Sequence, residues 1–124
     1  MKKLTIGRNN ACDVIIPDTT DLVSRMHAVL DCHFWGKMVI HDTSNNGTYV
    51  NDQRLEKEKG MRVTRNDKVT FARVAKLEWA DVKDPYRYAR RVVAVGAVVA
   101  VAALIALAFF FFAGDRFGSF VHLS

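Results

Sequence analysis

From Leu4 to Val82 apolar and polar positions alternate in short runs, each closed by turn-forming residues: KLTIG, CDVIIP, MHAVLDCHF, KMVIHD, GTYVN, RVTRND and KVTFARVAKLEW. Val, Ile, Thr and aromatic residues dominate these runs, and their spacing predicts an all-β sandwich. In MHAVLDCHF, residues Met26, Ala28, Leu30, Cys32 and Phe34 fall on one parity and are assigned to the core. His27, Asp31 and His33 fall on the other and are assigned to the opposite face. Asn46 followed by Gly47 supplies positive φ for a tight connection, and a second turn is expected at Asn51 and Asp52. No run before Arg87 keeps a helical period.

The pattern changes at Val92. From Val92 to Gly114, about 23 residues carry no charge, and a helix rising about 1.5 Å per residue would cover roughly 34 Å, the thickness of a bilayer core. The chain is therefore expected to divide into a β-sandwich over 1–82, a basic juxtamembrane linker over 83–91, a transmembrane helix over 92–114 and a short extracytoplasmic tail over 115–124. Met1 to Arg8 leads directly into a strand-like run without the apolar core of a signal peptide, so the span is read as a C-terminal anchor. Lys83, Arg87, Arg90 and Arg91 precede it, while Asp115 and Arg116 follow it; the excess of cations on the first side places the sandwich in the cytoplasm of a single-pass membrane protein. Tyr86 and Tyr88 are expected near the headgroups. Gly96 and Ala100 have the small-xxx-small spacing that can pair two helices into a homo-oligomer, although small residues are common in such helices.

Composition narrows the partners. The 124 residues have a formal net charge of +5, but acids are interleaved with the bases rather than excluded from Lys/Arg blocks, so no nucleic-acid partner is expected. Cys12 and Cys32 are the two cysteines. One disulfide or two thiols would satisfy them; reduced thiols suit a cytosolic domain, and they lack the spacing of a zinc site. No metal and no cofactor is expected. A Ser24, His27, Asp42 triad and metal ligation by His27, Cys32 and His33 are the catalytic alternatives; alternation points His27 and His33 to one face and Cys32 to the other, and no Gly-x-Ser-x-Gly or His-Glu-x-x-His accompanies them. Neither an enzyme nor a small-molecule substrate is expected.

Four local signals stand in order: Gly7 and Arg8 after the first run, Ser24-Arg25-Met26-His27, Ser44-Asn45-Asn46-Gly47-Thr48, and Asn51. Their order and spacing resemble the forkhead-associated (FHA) domain over Lys3 to Val82. The resemblance implies an FHA-like β-sandwich, N-terminally shortened because Met1 to Ile6 alone precede the Gly-Arg, with loops at one end that bind phosphothreonine in a partner protein. It implies that Arg8, Ser24, Arg25, Asn45 and Asn46 contact the phosphopeptide, and that Gly7, His27, Gly47, Thr48 and Asn51 support the binding loops. The chemistry suits that role, since a phosphothreonine brings close to two negative charges that a planar guanidinium, hydroxyls and amides can bind. Asn46-Gly47-Thr48 also spells a glycosylation acceptor, discounted for a cytoplasmic domain. The expected function is a membrane-anchored phosphothreonine-peptide binding module in Ser/Thr kinase signalling. The alternative is a phosphorylation-independent scaffold within a membrane assembly.

Overall fold

The computed structural model describes residues 1–122 and contains two compact units, Met1–Tyr86 and the helix that follows. Strands β1 (Lys2–Gly7), β2 (Val14–Ile15), β3 (Ala28–Cys32), β4 (Met38–Asp42) and β7 (Met61–Val63) form one sheet in the order β2-β1-β3-β4-β7. Strands β5 (Thr48–Val50), β6 (Gln53–Arg54), β8 (Val69–Phe71) and β9 (Ala75–Lys76) form the other in the order β6-β5-β8-β9. Every pairing is antiparallel except that of β1 with β2. The two sheets make the β-sandwich expected from the alternation.

The core lies between the sheets. Ile6, Leu30 and Ile40 on one side and Val69, Phe71 and Leu77 on the other are at most 1% exposed, and burying each such side chain contributes about 1.5–3 kcal/mol. The parity of β3 is as expected for Ala28, Leu30 and Cys32, all buried. It fails for the two residues before the strand: Met26 is 52% exposed and His27 fully buried. The cause is register. Pairing with β1 begins at Ala28, opposite Ile6, so residues 26–27 belong to a loop in which strand alternation has no force. Cys12 and Cys32 are buried free thiols, and burial raises the Cys32 thiol pKa, as suits an inert core residue.

Two connections differ from their sequence reading. The run KVTFARVAKLEW is broken into β8 and β9 by Ala72 and Arg73, both at positive φ (53° and 59°). The amide of Ala72 donates to the Gly47 carbonyl at 2.8 Å, and the Arg73 guanidinium lies 4.6 Å from the centre of the Tyr49 ring; these contacts hold a left-handed turn without glycine. Asn46-Gly47 does not close a hairpin but carries the chain from β4 in one sheet to β5 in the other, with Gly47 at φ +93°. Asn51 and Asp52, at φ 50° and 68°, form the expected hairpin turn, which pairs β5 with the short β6.

The second unit is helix α1 (Arg87–His122). Residues Arg87–Gly114 are long and apolar enough to cross a membrane; their most apolar 18-residue window has a mean hydropathy of 2.9 and none of it is buried. Helical backbone thus starts within the expected linker and continues past Gly114. The end of the expected tail, residues 123–124, lies outside the described residues.

Candidate functional site

At one end of the sandwich the chain leaves β1 at Gly7, enters β3 at Ala28 and leaves β4 at Asp42, which brings three loops together. Gly7 makes the first approach feasible. A Cβ there would lie 2.1 Å from the Arg25 carbonyl oxygen, so any side chain would push the loops apart. The close fit is locked by backbone bonds from the amides of Arg8 to the Ser24 carbonyl and of Asn9 to the Arg25 carbonyl, both 3.1 Å. Arg8 therefore leaves the strand in a fixed position. Its Nε donates to the Val23 carbonyl at 3.1 Å, while Nη1 sits 3.4 Å from Oδ1 of Asp21, with a third of the arginine side chain exposed.

His27 fastens this loop to the third one. The Ser24 amide donates to His27 Nδ1 at 3.0 Å, which leaves the proton on Nε2 to be donated to the Gly47 carbonyl at 2.8 Å. Its ring also meets Phe71 edge to face at 5.3 Å between centroids. Gly47 thus accepts from both His27 and Ala72. Neither ring nitrogen faces the Ser24 hydroxyl, whose oxygen instead accepts from the Asn45 amide at 3.4 Å. The Ser24, His27, Asp42 triad is therefore not assembled. Among the described residues no group of three or more His, Cys, Asp or Glu is placed to hold a metal ion.

Asp42 has a different role. Its Oδ1 accepts from the Ser44 amide at 3.0 Å, the Ser44 hydroxyl at 2.6 Å and the Thr48 hydroxyl at 2.9 Å, all buried. The Ser44 oxygen accepts in turn from the Gly47 amide at 2.8 Å. This network shapes the 43–47 loop so that Asn46 Nδ2 reaches the Leu22 carbonyl at 2.7 Å. Thr43 completes the tie, its hydroxyl donating to the Met26 carbonyl at 3.1 Å.

Arg8, Ser24, Arg25, Asn45 and Asn46 are thereby gathered at one end, with Gly7, His27, Gly47 and Thr48 beneath or between them. Asn51 is not brought there. It lies beyond the far end of β5, where Nδ2 donates to Asp67 at 2.9 Å and Oδ1 accepts from the Lys68 amide at 3.0 Å; it braces the β7–β8 loop rather than the three described above. The sequence reading missed Asp21 against Arg8 and the Asp42–Ser44–Thr48 network. It also missed Asp18, whose carboxylate accepts from the Thr20 hydroxyl and the Val23 amide. Asp-x-Ser and Asp-x-Thr, at 42–44 and 18–20, are the spacings at which a carboxylate turns its own loop, and they were the available signal.

Burial pushes the His27 imidazole below its ordinary value of 6.5, against the opposing pull of the Gly47 carbonyl, Asp42 and Asp18. The unfolded chain then takes up the proton first. The stability that neutral His27 contributes is complete above about pH 6.5 and is lost as pH falls below it, by up to about 1.4 kcal/mol per unit. The denaturation midpoint should fall as pH is lowered through about 6.5, and the slope should flatten in His27→Gln. Asp18, drawn down from 3.8 to about 2, first by the Thr20 hydroxyl and then by the Val23 amide, acts in a separate window. Its contribution is present above its ordinary value and is lost as pH falls towards 2.

Residues 4–72 match the model of the FHA domain. The serine/threonine-protein kinase RAD53 of Saccharomyces cerevisiae is 33% identical over 69 residues, which are 56% of this chain and 8% of that protein. The probable serine/threonine-protein kinase fhkA of Dictyostelium discoideum is 26% identical over 83 residues, 60% of this chain and 14% of that protein. This chain thus spans a small part of the length of either kinase. Among solved structures, the N-terminal FHA domain of S. cerevisiae Rad53p in complex with a phosphothreonine peptide superimposes with a TM-score of 0.50 at 31% identity, covering 55% of this chain and 54% of that one. With more than half of its residues matched, and with the sandwich and loop end in place, the chain belongs to the FHA domain family.

Proposed function

We propose that this protein binds phosphothreonine peptides through Arg8, Ser24, Arg25, Asn45 and Asn46, and that α1 anchors it in a membrane to recruit phosphorylated partners in Ser/Thr kinase signalling. The observation that carries the reading is Arg8. Its position is set by strand, glycine and backbone bonds, its guanidinium is part exposed, and Ser24 and the 45–46 amides lie on neighbouring loops. Such a guanidinium with nearby hydroxyl and amide donors fits a dianionic phosphate monoester. The Rad53p domain solved with a phosphothreonine peptide supports the choice of ligand. In this reading the domain binds and does not catalyse.

The length and apolar composition of Arg87–Gly114 support the anchor, and the cations at Lys83, Arg87, Arg90 and Arg91 support a cytoplasmic sandwich. A phosphothreonine peptide library presented to the isolated sandwich tests the binding half. Selective retention of phosphorylated members is expected, whereas equal retention of unphosphorylated ones favours the scaffold. Topology is read with a thiol reagent that cannot cross membranes: a cysteine engineered at Asn10 should stay unlabelled in intact cells, and efficient labelling would reverse the orientation.

Asp21 competes with the ligand for Arg8. The pair is exposed, so releasing it costs about 0.2–1 kcal/mol. Asp21→Asn keeps a residue that tolerates the positive φ of 59° at this position and removes the charge. It should tighten phosphopeptide binding roughly 1.4- to 5-fold in a titration at fixed salt; weaker binding would show that Asp21 helps to form the site.

A further inference from the structure

The strands that end at the phosphate loops begin, roughly 17 Å away at about 3.4 Å per residue, at a second end of different character. Lys2 opens β1 there, opposite Cys32, and residues 33–37 turn the chain from β3 into β4. Trp35 at the tip of this turn is 80% exposed, more than any other large hydrophobic residue of Met1–Tyr86. It is not loose. Phe34 packs edge to face on Trp35 at 4.7 Å and on Tyr86 at 5.4 Å, and Lys2 Nζ lies 5.3 Å from the centre of the Tyr86 ring. Lys2, Lys37 and Lys83 are all exposed. Tyr86 is the last residue before α1 begins at Arg87.

We propose that the Phe34–Trp35 tip, with Lys2, Lys37 and Lys83, is a docking surface for the anionic headgroups of a bilayer, with Trp35 seated at the headgroup boundary. The inference rests on the reading of α1 as a membrane span. An indole has an apolar body and one polar N–H, which is why tryptophan collects at membrane–water interfaces. Lysines can rest their stems on apolar surface while their ammonium groups meet lipid phosphates, and each basic residue near an anionic surface adds to the attraction. Asp81 and Asp84 lie in the same stretch and reduce the net attraction. Continuity of the chain favours lipid over other occupants, because Tyr86, packed into the tip, is followed at once by α1, whose apolar stretch begins at Val92 after a short basic segment with Arg87, Arg90 and Arg91. A tip held on lipid leaves the phosphate loops at the opposite end of the strands, open to a partner from solution.

The test uses the full chain in phosphatidylcholine vesicles with and without phosphatidylglycerol, some acyl chains being brominated to quench indole fluorescence. Emission should be blue-shifted and quenched, more strongly with phosphatidylglycerol. Most of the quenching should disappear in Trp35→Ala and weaken in the Lys2→Gln, Lys37→Gln double variant, with denaturation midpoints unchanged because these side chains are exposed. If the chain resists alkaline extraction but the signal removed by Trp35→Ala is unquenched and unshifted, the docking surface is refuted while the anchor stands. If alkali strips the chain from the vesicles, the anchor fails and the proposal with it. A blue shift that grows with protein concentration in lipid-free micelles would assign Trp35 to a second copy and overturn the proposal.

Discussion

Arg8→Ala should abolish measurable binding of a phosphothreonine peptide while leaving the sandwich folded. Removing one partner of a hydrogen-bonded charge pair costs about 2–5 kcal/mol, at least roughly 30-fold in affinity. The structural cost is smaller. The side chain makes one bond to the Val23 carbonyl and one exposed contact with Asp21, and a bond of that kind contributes about 0.5–1.5 kcal/mol. Calorimetric titration and a denaturation curve on the same sample separate the two effects. Arg8→Lys should fall between the wild type and alanine, because an ammonium keeps the charge but not the planar fork. Binding by Arg8→Ala equal to the wild type would remove Arg8 from the site.

His27→Ala should act in the opposite order, on the fold first. The ring is fully buried and bridges two loops through the Ser24 amide and the Gly47 carbonyl, and it packs edge to face with Phe71. Alanine leaves a cavity and an unpaired Ser24 amide, while the Gly47 carbonyl keeps only its bond from Ala72; about 3–5 kcal/mol of destabilisation is expected. That is a large share of the stability of a small domain. Urea denaturation of Met1–Tyr86, which contains the whole core cluster, checks the value. Phosphopeptide affinity should fall as well, since Ser24 and Asn45 lose their common support. A variant as stable as the wild type but unable to bind would instead give His27 direct contact with ligand.

Much of this architecture was legible because it is local. The strand runs end where turn residues begin, and Gly7-Arg8 and Asn51-Asp52 stand where the chain must bend. The apolar helix could be read over 92–114 from its lack of charge alone, though not its start at Arg87. The remainder depends on pairing between distant segments. Whether His27 faces core or solvent is decided by the point at which β3 meets β1, which alternation within a single run cannot show. The Asp-x-Ser spacing at 42–44 signals the two donors from Ser44, but nothing local shows that the Thr48 hydroxyl joins them on Asp42. The Ala72-Arg73 turn lacks glycine because Gly47 and Tyr49, some 25 residues earlier, hold it. Asn51 has the right spacing in the chain yet sits at the wrong end of β5 to brace the phosphate loops.

Phosphothreonine recognition is tested most directly by a paired titration of Met1–Tyr86 with one peptide in two forms, phosphorylated and unphosphorylated at a single threonine, chosen from the library screen. The phosphorylated form should bind at least roughly 30-fold more tightly, with a preference that shrinks as salt is raised and vanishes in Arg8→Ala. Equal affinity for the two forms would contradict that recognition and leave the sandwich as a phosphorylation-independent scaffold.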